Sequence, residues 1–523
     1  MTATELQHED VRNRLLRRAD WRFLLPDPWP VRSICFANGP LALAVELISS
    51  QLADTSEGRD CDLAVAVDPN SDTLRSAWNV LRAGGSCYTE WYTPLAGGPR
   101  GIRRRLAAIG FDEVTCYWAW PLPTRAVAQF WLPLEAPGAL RFFLDSRPRD
   151  RSAGRQAARA ALRTAWRLLP RLGIAWPVCA VARKPHSPAA EASPEGIGER
   201  WVATALGQPD SQIRWLLLTG GRRSINKVVA LAFDRQHSQP RAAVKMPRVP
   251  ESVPALRREA ATLRAVQSLR SGGVPGVPRV LFYHEQGERT VLGETVVAGQ
   301  PLYTLLRRAS FRDLALKATG WLADLAEKTE PRPRAEWWDR LVEPVIADFG
   351  ASFGPVVDPG MLLAARESLL MLGDLPLVCE QRDFSPWNVL VDARGELVVL
   401  DWESAEICGL PGLDLLYLLT YLAFFLDGAM ESERYRESYR ALLDPSTLTG
   451  GVARVCMARY AERLRLDLSV LRPLRLLCWM LHARSEYRHF TADAGCSPGR
   501  DILRRSLFVS LWEEELRGRS DRW

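Results

Sequence analysis

The chain has 523 residues, of which 47% are hydrophobic and 25% are charged, as in an ordinary globular protein with room for two cores. Its net charge of +7 is small and spread along the chain, so it does not indicate nucleic-acid binding. The ten cysteines lack paired metal-ligand spacing and indicate reduced thiols in a cytoplasmic protein. We expect no signal peptide at the charged N-terminus, and no transmembrane segment, because the longest apolar run (413–426) is too short.

Strand-like and helix-like segments alternate over residues 1–185, which predicts an α/β domain with a parallel sheet. The stretch 61–121 contains a strand, a helix ending in LRAGG, a second strand and a helix ending in IGF. This order resembles the second half of a class I S-adenosylmethionine methyltransferase. Such a domain binds its cofactor through a glycine-rich turn and an acidic residue. Here the turn FANGP (36–40) has one glycine, and 51–60 is too short for the usual second and third strands.

The resemblance therefore implies a truncated, Rossmann-like, degenerate methyltransferase-like domain that serves in docking, dimerisation or substrate presentation. A protein partner or a homo-oligomer is the expected use of this domain. The alternative is retained methyl transfer, with Asn38, Gly39 and Asp68 as cofactor-binding residues. The arginine-rich stretch 139–176 predicts a helical insertion, either a solvated face or a surface for an anionic partner. Residues 186–197 predict a linker.

A strand, a glycine-containing loop and a further strand follow the linker. WLLL (215–218) leads into TGGRRSINK (219–227) and then into VVALAF (228–233). Glycines let backbone N–H groups come close to a phosphate, so the loop predicts a nucleotide site at Gly220, Gly221, Ser224 and Asn226. A plain hairpin turn is the alternative interpretation.

The next strand, AAVK (242–245), presents Lys245, and the helical pattern that follows carries Glu259. A strand lysine held by a helix glutamate is typical of kinases, where it contacts the α- and β-phosphates. Lysine is rare in this chain, occurring only at 184, 227, 245, 317 and 328, so its use here indicates that a compact ammonium group is needed. The alternative is a solvated strand lysine.

The most informative run is VCEQRDFSPWNVLVDARGELVVLDWESA (378–405). Asp383 has the position of a base for a substrate hydroxyl, and Asn388 and Asp401 carry oxygen ligands that suit Mg²⁺. Two β-rich segments joined by DARG (392–395) predict a hairpin that folds Asp401 back beside Asn388. The run therefore predicts an ATP-dependent phosphoryl-transfer site.

Residues 198–523 resemble the aminoglycoside phosphotransferase and choline kinase-like family. The motifs that carry the resemblance are GGRRSIN (220–226), AAVK (242–245), Glu259, LGETVVAGQPL (292–302), DFSPWNVL (383–390), LVVLDWE (397–403) and GLPGLDLLYLL (409–419). The resemblance implies a two-lobed α+β protein-kinase-like fold, with an N-lobe over 198–300 and a helical C-lobe over 301–523. It also implies ATP and Mg²⁺ as cofactors and a small-molecule hydroxyl as phosphate acceptor.

Residue roles follow from the resemblance position by position. They are Asp383 as catalytic base, Asn388 and Asp401 as metal ligands, Lys245 as phosphate ligand with Glu259 as its partner, and the backbone around Glu294 and Val296 as the adenine site.

The chain departs from the family where Gln381-Arg382-Asp383 replaces His-Gly-Asp. The Gln381 amide can still donate a hydrogen bond. Arg382 is expected to pair with a substrate anion or with a surface carboxylate. The acidic residues Glu403 and Glu406 are expected either to attract a cationic substrate or to lie on a solvated loop.

Helical periodicity over 303–329, 361–373, 413–426, 431–443, 452–465, 472–489 and 499–517 predicts the acceptor-binding lobe. In the apolar segment 413–426, Asp414 is expected to brace the catalytic loop or to lie early in a helix. Four aromatic residues are interpreted as core, or as a stacking surface for a sugar-like acceptor: Trp337, Trp338, Trp479 and Tyr487.

Several functions remain open at this point. The first is phosphorylation of a sugar, an aminoglycoside-like compound or a natural-product intermediate. Phosphorylation of peptide serine or threonine is a second. Two others are a non-catalytic pseudokinase and pseudo-methyltransferase scaffold, and a methyltransferase with a regulatory kinase-like domain.

Overall fold

The computed structural model describes residues 3–54, 58–93, 98–123, 130–146, 177–185, 199–207, 213–220, 226–234, 237–287, 289–326, 329–494 and 498–518. The predicted linker 186–197 and the predicted insertion from residue 147 onward lie outside these residues. The described chain forms two compact units. We call Gln7–Ala260 with Arg279–Val296 the sheet unit, and Met1–Leu6, Ala261–Pro278 and Val297–Trp523 the helical unit.

A mixed twelve-stranded sheet, in the order β11-β12-β10-β9-β8-β6-β5-β7-β4-β3-β1-β2, forms the frame of the sheet unit. Its strands are β1 (Arg32–Cys35), β2 (Gln51–Leu52), β3 (Cys61–Val67), β4 (Leu81–Trp91), β5 (Asp112–Trp120), β6 (Phe130–Pro133), β7 (Val178–Arg183), β8 (Arg214–Leu218), β9 (Val228–Phe233), β10 (Ala242–Met246), β11 (Val280–His284) and β12 (Val291–Thr295). The helices of residues 3–268 are α1 (Ala3–Arg18), α2 (Pro40–Ile48), α3 (Ser71–Val80), α4 (Gly98–Ile109), α5 (Pro137–Ser146), α6 (Glu199–Leu206) and α7 (Val253–Ser268).

The parallel sheet predicted for the N-terminal region is present in β1, β2, β3 and β4, and α3 and α4 follow β3 and β4 as the sequence pattern predicts. Strand β7 then pairs antiparallel with both β4 and β5. The stretch that the sequence marks as too short for two full strands contains only the two-residue strand β2.

Pairing between β6 and β8 makes the sheet continuous from the N-terminal region into the strands that follow residue 213. Trp131 lies opposite Leu217 in this antiparallel pair. One hydrophobic core extends along the same sheet, from Leu63 and Val65 to Val244. The N-terminal strands and the strand that carries Lys245 therefore share one sheet and one core.

The helical unit contains twelve further helices and several short sheets among its described residues. The helices are α8 (Leu302–Leu305), α9 (Phe311–Leu325), α10 (Arg334–Leu341), α11 (Glu343–Phe353), α12 (Pro359–Leu370), α13 (Leu413–Leu426), α14 (Ala429–Ser432), α15 (Tyr435–Leu443), α16 (Leu448–Leu464), α17 (Leu471–Ala494), α18 (Arg500–Leu503) and α19 (Leu507–Arg517). The strands are β13 (Gln300–Pro301), β14 (Pro331–Arg332), β15 (Leu375–Pro376), β16 (Val378–Glu380), β17 (Val389–Val391), β18 (Leu397–Val399) and β19 (Glu406–Gly409).

Local capping explains where these helices differ from the predicted ones. The segment 303–329 is interrupted after α8, where the Ser310 hydroxyl donates to the Leu305 carbonyl and accepts from the Arg307 N–H. The segment 499–517 is likewise divided, because Ser506 caps α19 by accepting from the Val509 N–H. Helices α10 and α11 were not predicted. Among the described helices, none combines the length and apolarity needed to span a membrane.

Candidate active site

Strand β10 and helix α7 bring Lys245 and Glu259 together, as the sequence predicts. The Lys245 Nζ lies 2.5 Å from Glu259 Oε1 and 3.0 Å from Glu294 Oε1. All three side chains are buried. A buried ammonium group is stable only when it is paired, so the two carboxylates hold Lys245 in place.

Two contacts in this cluster were not predicted. Lys227 Nζ donates to the second oxygen of Glu259 at 2.8 Å, so Glu259 is shared by two lysines. Glu294 was expected to contribute its backbone, but its carboxylate also pairs with Lys245. Burial raises the pKa of Glu294, and the Lys245 charge opposes that shift. The rarity of lysine was the sequence signal that could have identified Lys227.

The predicted glycine loop lies between the paired strands β8 and β9. Gly220 is exposed, and a Cβ added there would meet no atom within 4 Å. Asn226 is half-buried. Val296, which follows β12, is partly buried and packs against a hydrophobic cluster. Gly221 and Ser224 lie outside the described residues.

A buried ionic network ties the N-terminal segment to the strands that carry these residues. Arg248, three residues after Lys245, donates to both carboxylate oxygens of Asp20 at 2.9 and 3.0 Å. The same guanidinium donates to the Thr219 carbonyl, next to Gly220, at 3.2 Å. Arg22 donates to the Arg248 carbonyl at 2.7 Å. Residues 20–22 thus fix the positions of Thr219, which follows β8, and Arg248, which follows β10.

The predicted phosphoryl-transfer segment (378–405) lies in the helical unit, and the hairpin predicted within it is present as β17 and β18. Val389 pairs with Val399, and the Leu400 N–H donates to the Asn388 carbonyl at 2.9 Å. Asn388 Nδ2 donates to Asp383 Oδ2 at 2.7 Å and to the Asp383 carbonyl at 3.1 Å. These bonds use the amide nitrogen of Asn388, which leaves its Oδ1 as the atom suited to a metal.

Gln381 occupies the position of the family histidine and is fully buried. Its amide nitrogen donates to the carbonyls of Leu400 at 3.0 Å and Asp401 at 2.6 Å. Its Oε1 accepts from the Asp383 N–H at 2.8 Å. One side chain therefore ties the Asp383 loop to the Asp401 segment, as the hydrogen-bonding capacity of glutamine allows.

Asp414, at the start of α13, braces the same loop, as predicted. Its carboxylate accepts from the N–H groups of Gln381 at 2.6 Å and Arg382 at 2.8 Å. Burial, followed by the charge of Glu380, raises the pKa of Asp414 to about 7. The brace supports a strained backbone, because Arg382 and Asp401 have φ angles of 65° and 63°. Non-glycine residues adopt this left-handed region only uncommonly, and it carries a cost in backbone energy.

The Arg382 guanidinium pairs with Glu380 at 2.7 Å. Of the two expected partners, the structure therefore shows a carboxylate, and this carboxylate is buried rather than on the surface. Glu380 also accepts a hydrogen bond from the Leu410 N–H. Glu406 pairs with Arg340 Nη1 at 3.0 Å, and Glu403, two residues after Asp401, is half-buried.

Burial and like charge both disfavour the ionised form of Asp383. Burial, and then the neighbouring charge of Asp401, raise the pKa of Asp383 to about 8. Crowded carboxylates of this kind are stabilised by a cation. Carboxylate and amide oxygens are the ligands that Mg²⁺ prefers, so the Asn388 and Asp401 side chains fit the predicted metal.

The aromatic residues considered for acceptor stacking are mainly core. Trp337, Trp338 and Trp479 are buried, and Tyr487 packs edge-on against Phe353. Trp387 was not predicted as a site residue, although it lies immediately before Asn388 in the chain. Its side chain is 37% exposed.

The polar residues at the strand ends of the N-terminal region are occupied by their own neighbours. Asp68 Oδ1 accepts from the N–H groups of Tyr92 at 2.8 Å and Thr93 at 3.0 Å. Glu90, fully buried, receives two hydrogen bonds from the Arg18 guanidinium at 2.7 and 2.6 Å. Asn38 and Gly39 lie in the turn before α2.

Residues 224–449 match the model of the phosphotransferase enzyme family. No curated protein matches the chain significantly. Solved structures similar to this chain include the streptomycin–ATP complex of the aminoglycoside phosphotransferase APH(2")-IIa, at 14% identity over 60% of this chain and 97% of that one, with a TM-score of 0.33. A second is APH(3'')-Id from Streptomyces rimosus, at 16% identity over 52% and 96%, with a TM-score of 0.32.

A third is an aminoglycoside phosphotransferase from Alicyclobacillus acidocaldarius, at 17% identity over 63% of this chain and 98% of that one, with a TM-score of 0.31. TM-scores this low give no basis for transferring a ligand or a substrate to this chain.

Proposed function

We propose that the chain, whose residues 224–449 match the model of the phosphotransferase enzyme family, transfers the γ-phosphate of ATP to a hydroxyl group of a small molecule, with Mg²⁺. The observation that carries the proposal is the hydrogen-bonded catalytic loop. Gln381 and Asn388 orient Asp383, and Gln381 ties the loop to Asp401. Phosphoryl transfer depends mainly on such positioning and on charge stabilisation.

Asp383 accepts the proton of the attacking hydroxyl in this mechanism. Asn388 and Asp401 would hold Mg²⁺, which would neutralise charge on the phosphates and lower the raised pKa of Asp383, so that the ionised carboxylate is favoured. Asn388 also holds the Asp383 carboxylate in one orientation through its 2.7 Å hydrogen bond. The base is therefore positioned before the acceptor arrives.

Lys245 binds the α- and β-phosphates in the proposed complex, with its ammonium group oriented by Glu259 and Glu294. The backbone around Glu294 and Val296 is proposed to contact adenine, and the loop from Gly220 to Asn226 to cover the phosphates. Arg248 supports the start of this loop through its contact with Thr219, and Asp20 holds the Arg248 guanidinium in place. The N-terminal segment is thereby part of the nucleotide-binding framework.

The N-terminal α/β region is proposed to be a degenerate, methyltransferase-like domain that serves in docking or oligomerisation. Its support is that Asp68 and Glu90 hold their own chain rather than presenting free groups to a cofactor. The nine cysteines among the described residues are free thiols, which supports a cytoplasmic location.

The direct test is Asp383→Ala. We expect ATP-dependent phosphorylation to fall by about a thousandfold, because the general base is lost. The increase in thermal midpoint on adding ATP and Mg²⁺ should survive, because ligand binding to the folded state does not need this group. Asp374→Ala, an exposed aspartate nine residues upstream, is the matched control.

Two outcomes would favour other functions. Undiminished turnover in Asp383→Ala would exclude the proposed base. If the wild-type chain shows no midpoint shift with ATP and Mg²⁺, the non-catalytic scaffold is the better account. A shift with S-adenosylmethionine would restore the methyltransferase alternative.

A further inference from the structure

Trp387 lies between the catalytic base and the metal ligand in the chain, and it is 37% exposed. Its ring meets Tyr421 edge-on, with ring centroids 5.0 Å apart and an interplanar angle of 88°. A second edge contact joins it to Phe425 at 6.3 Å. Because more than a third of the Trp387 surface is exposed, its ring is available to a ligand.

Tyr303 extends the same aromatic surface and fixes it to the loop. Its ring stacks on Phe425 at 4.9 Å with an angle of 20°, and its N–H donates to the Pro386 carbonyl at 3.3 Å. We call Tyr303, Trp387, Tyr421 and Phe425 the aromatic platform. Because one member is part of the loop and another is hydrogen-bonded to it, the platform has a fixed position relative to Asp383.

Two carboxylates in the segment around the loop are already paired with arginine. Glu380 is paired with Arg382 at 2.7 Å, and Glu406 with Arg340 at 3.0 Å. Two carboxylates that would otherwise attract amino groups on a substrate are thus neutralised by arginine. These two carboxylates are therefore not available as partners for amino groups of the acceptor.

We propose that the aromatic platform binds the apolar face of an uncharged sugar ring and that Trp387 is the specificity-determining residue for this acceptor. The inference rests on the proposed function and narrows its substrate class from any hydroxyl compound to a neutral glycoside. Pyranose rings present C–H groups on one face and hydroxyls at the rim, so stacking on Trp387 leaves a rim hydroxyl to face Asp383. Aromatic surfaces favour such contacts through area burial and the negative ring face.

The chemical step is in-line transfer. The sugar oxygen forms a bond to the γ-phosphorus of ATP, and the bond from that phosphorus to the β,γ-bridging oxygen breaks. The hydroxyl proton moves to Asp383, and ADP is the leaving group. The products are a sugar phosphate and ADP, so no oxidant or further reactant is needed.

The experiment compares neutral methyl hexopyranosides (gluco, galacto and manno) with the polycationic aminosugar kanamycin, using the full-length chain with ATP and Mg²⁺. ADP release and ³¹P NMR of the products report turnover. At least one neutral glycoside should be phosphorylated with kcat/KM at least tenfold above that for kanamycin. ADP release without any acceptor measures the basal hydrolysis of ATP.

Substitution at Trp387 then tests the platform itself. Trp387→Ala should raise the KM for the glycoside by about tenfold, the typical loss of one aromatic contact, and should raise the KM for ATP by much less. Trp387→Phe should recover most of the affinity, since it restores an aromatic face. The matched control is Trp201→Ala, because Trp201 is 38% exposed and stacks on His284 within the sheet unit.

The outcomes separate the inference from the proposed function. ATP binding and basal hydrolysis without phosphorylation of any neutral glycoside would overturn the inference alone. The same holds if kanamycin is the better acceptor, or if Trp387→Ala leaves the glycoside KM unchanged. Absence of both an ATP-induced midpoint shift and any ADP release would overturn the proposed function, and the inference with it.

Discussion

Glu90 in the sheet unit and Asp383 in the helical unit are both enclosed carboxylates, but they differ in their partners. Glu90 receives two hydrogen bonds from Arg18 and one each from Tyr88 and Tyr92, at 2.6 to 2.9 Å. Asp383 accepts a side-chain bond from Asn388, and the nearby Asp401 repels its charge. A buried carboxylate with several hydrogen-bond donors stabilises the fold. A buried carboxylate with few donors and a like charge nearby is instead suited to bind a cation or a proton.

The largest effect is expected at the satisfied site. Glu90→Ala leaves the Arg18 guanidinium buried and unpaired, so the free energy of unfolding should fall by about 3 kcal/mol or more. Chemical denaturation monitored by circular dichroism measures this loss. Asp72→Ala, which breaks only the exposed pair with Arg75, should cost about 0.5 kcal/mol or less. Equal losses in the two variants would contradict the role assigned to Arg18 and Glu90.

Gln381 tests the same comparison, because its substitution should reduce kcat strongly and the thermal midpoint only slightly. Gln381→Ala removes the bonds to the Asp383 N–H and the Asp401 carbonyl, so kcat should fall by about ten- to a hundredfold. Gln381→His restores the family residue and should keep most of kcat. The matched control is Gln267→Ala, which removes a similar bridge to the carbonyls of Val277 and Pro278.

The control should lower the thermal midpoint with kcat largely retained. If Gln267→Ala and Gln381→Ala reduce kcat equally, Gln381 acts only through general stability of the helical unit.

Asp383→Asn is expected to stabilise the protein while it removes activity. The substitution eliminates the charge that burial and Asp401 disfavour, so without Mg²⁺ the free energy of unfolding should rise by about 1 kcal/mol or more at pH 8. Thermal denaturation in a chelating buffer measures the change. A lowered midpoint would show that the ionised carboxylate stabilises the loop, contrary to the comparison.

The last effect appears only at acid pH and concerns His482, whose ring stacks on Tyr417 at 3.7 Å. Burial, followed by the charge of Arg382, lowers the pKa of His482 to about 3. As the pH falls, His482 is therefore protonated in the unfolded chain before it is protonated in the folded one. The contribution of the neutral ring to stability is complete above pH 6.5 and is lost as the pH falls toward 3. The slope due to His482 should reach at most about 1.4 kcal/mol per pH unit. His482→Phe should reduce that slope in denaturant titrations between pH 6.5 and 4, and an unchanged slope would exclude the assignment.

Local motifs explain which parts of the fold and site were predictable. The β17–β18 hairpin follows from its turn residues, and the ends of α13 match the predicted segment 413–426. The break after α8 and the separate helices α10 and α11 depend on capping and packing that periodicity does not encode. Lys227 illustrates the same limit, because its contact with Glu259 spans 32 positions of sequence.

The amino-acid sequence by itself determined which residues are candidates for phosphoryl transfer. They occur in order within segments whose local structure follows from short-range patterns: Lys245, Glu259, Asp383, Asn388 and Asp401. Only the tertiary structure decided how these groups are supported. It joined the N-terminal strands to the Lys245 strand through β6 and β8, buried Arg248 against Asp20, and left Trp387 exposed. These outcomes depend on pairing and burial between residues far apart in the chain, which no local pattern specifies.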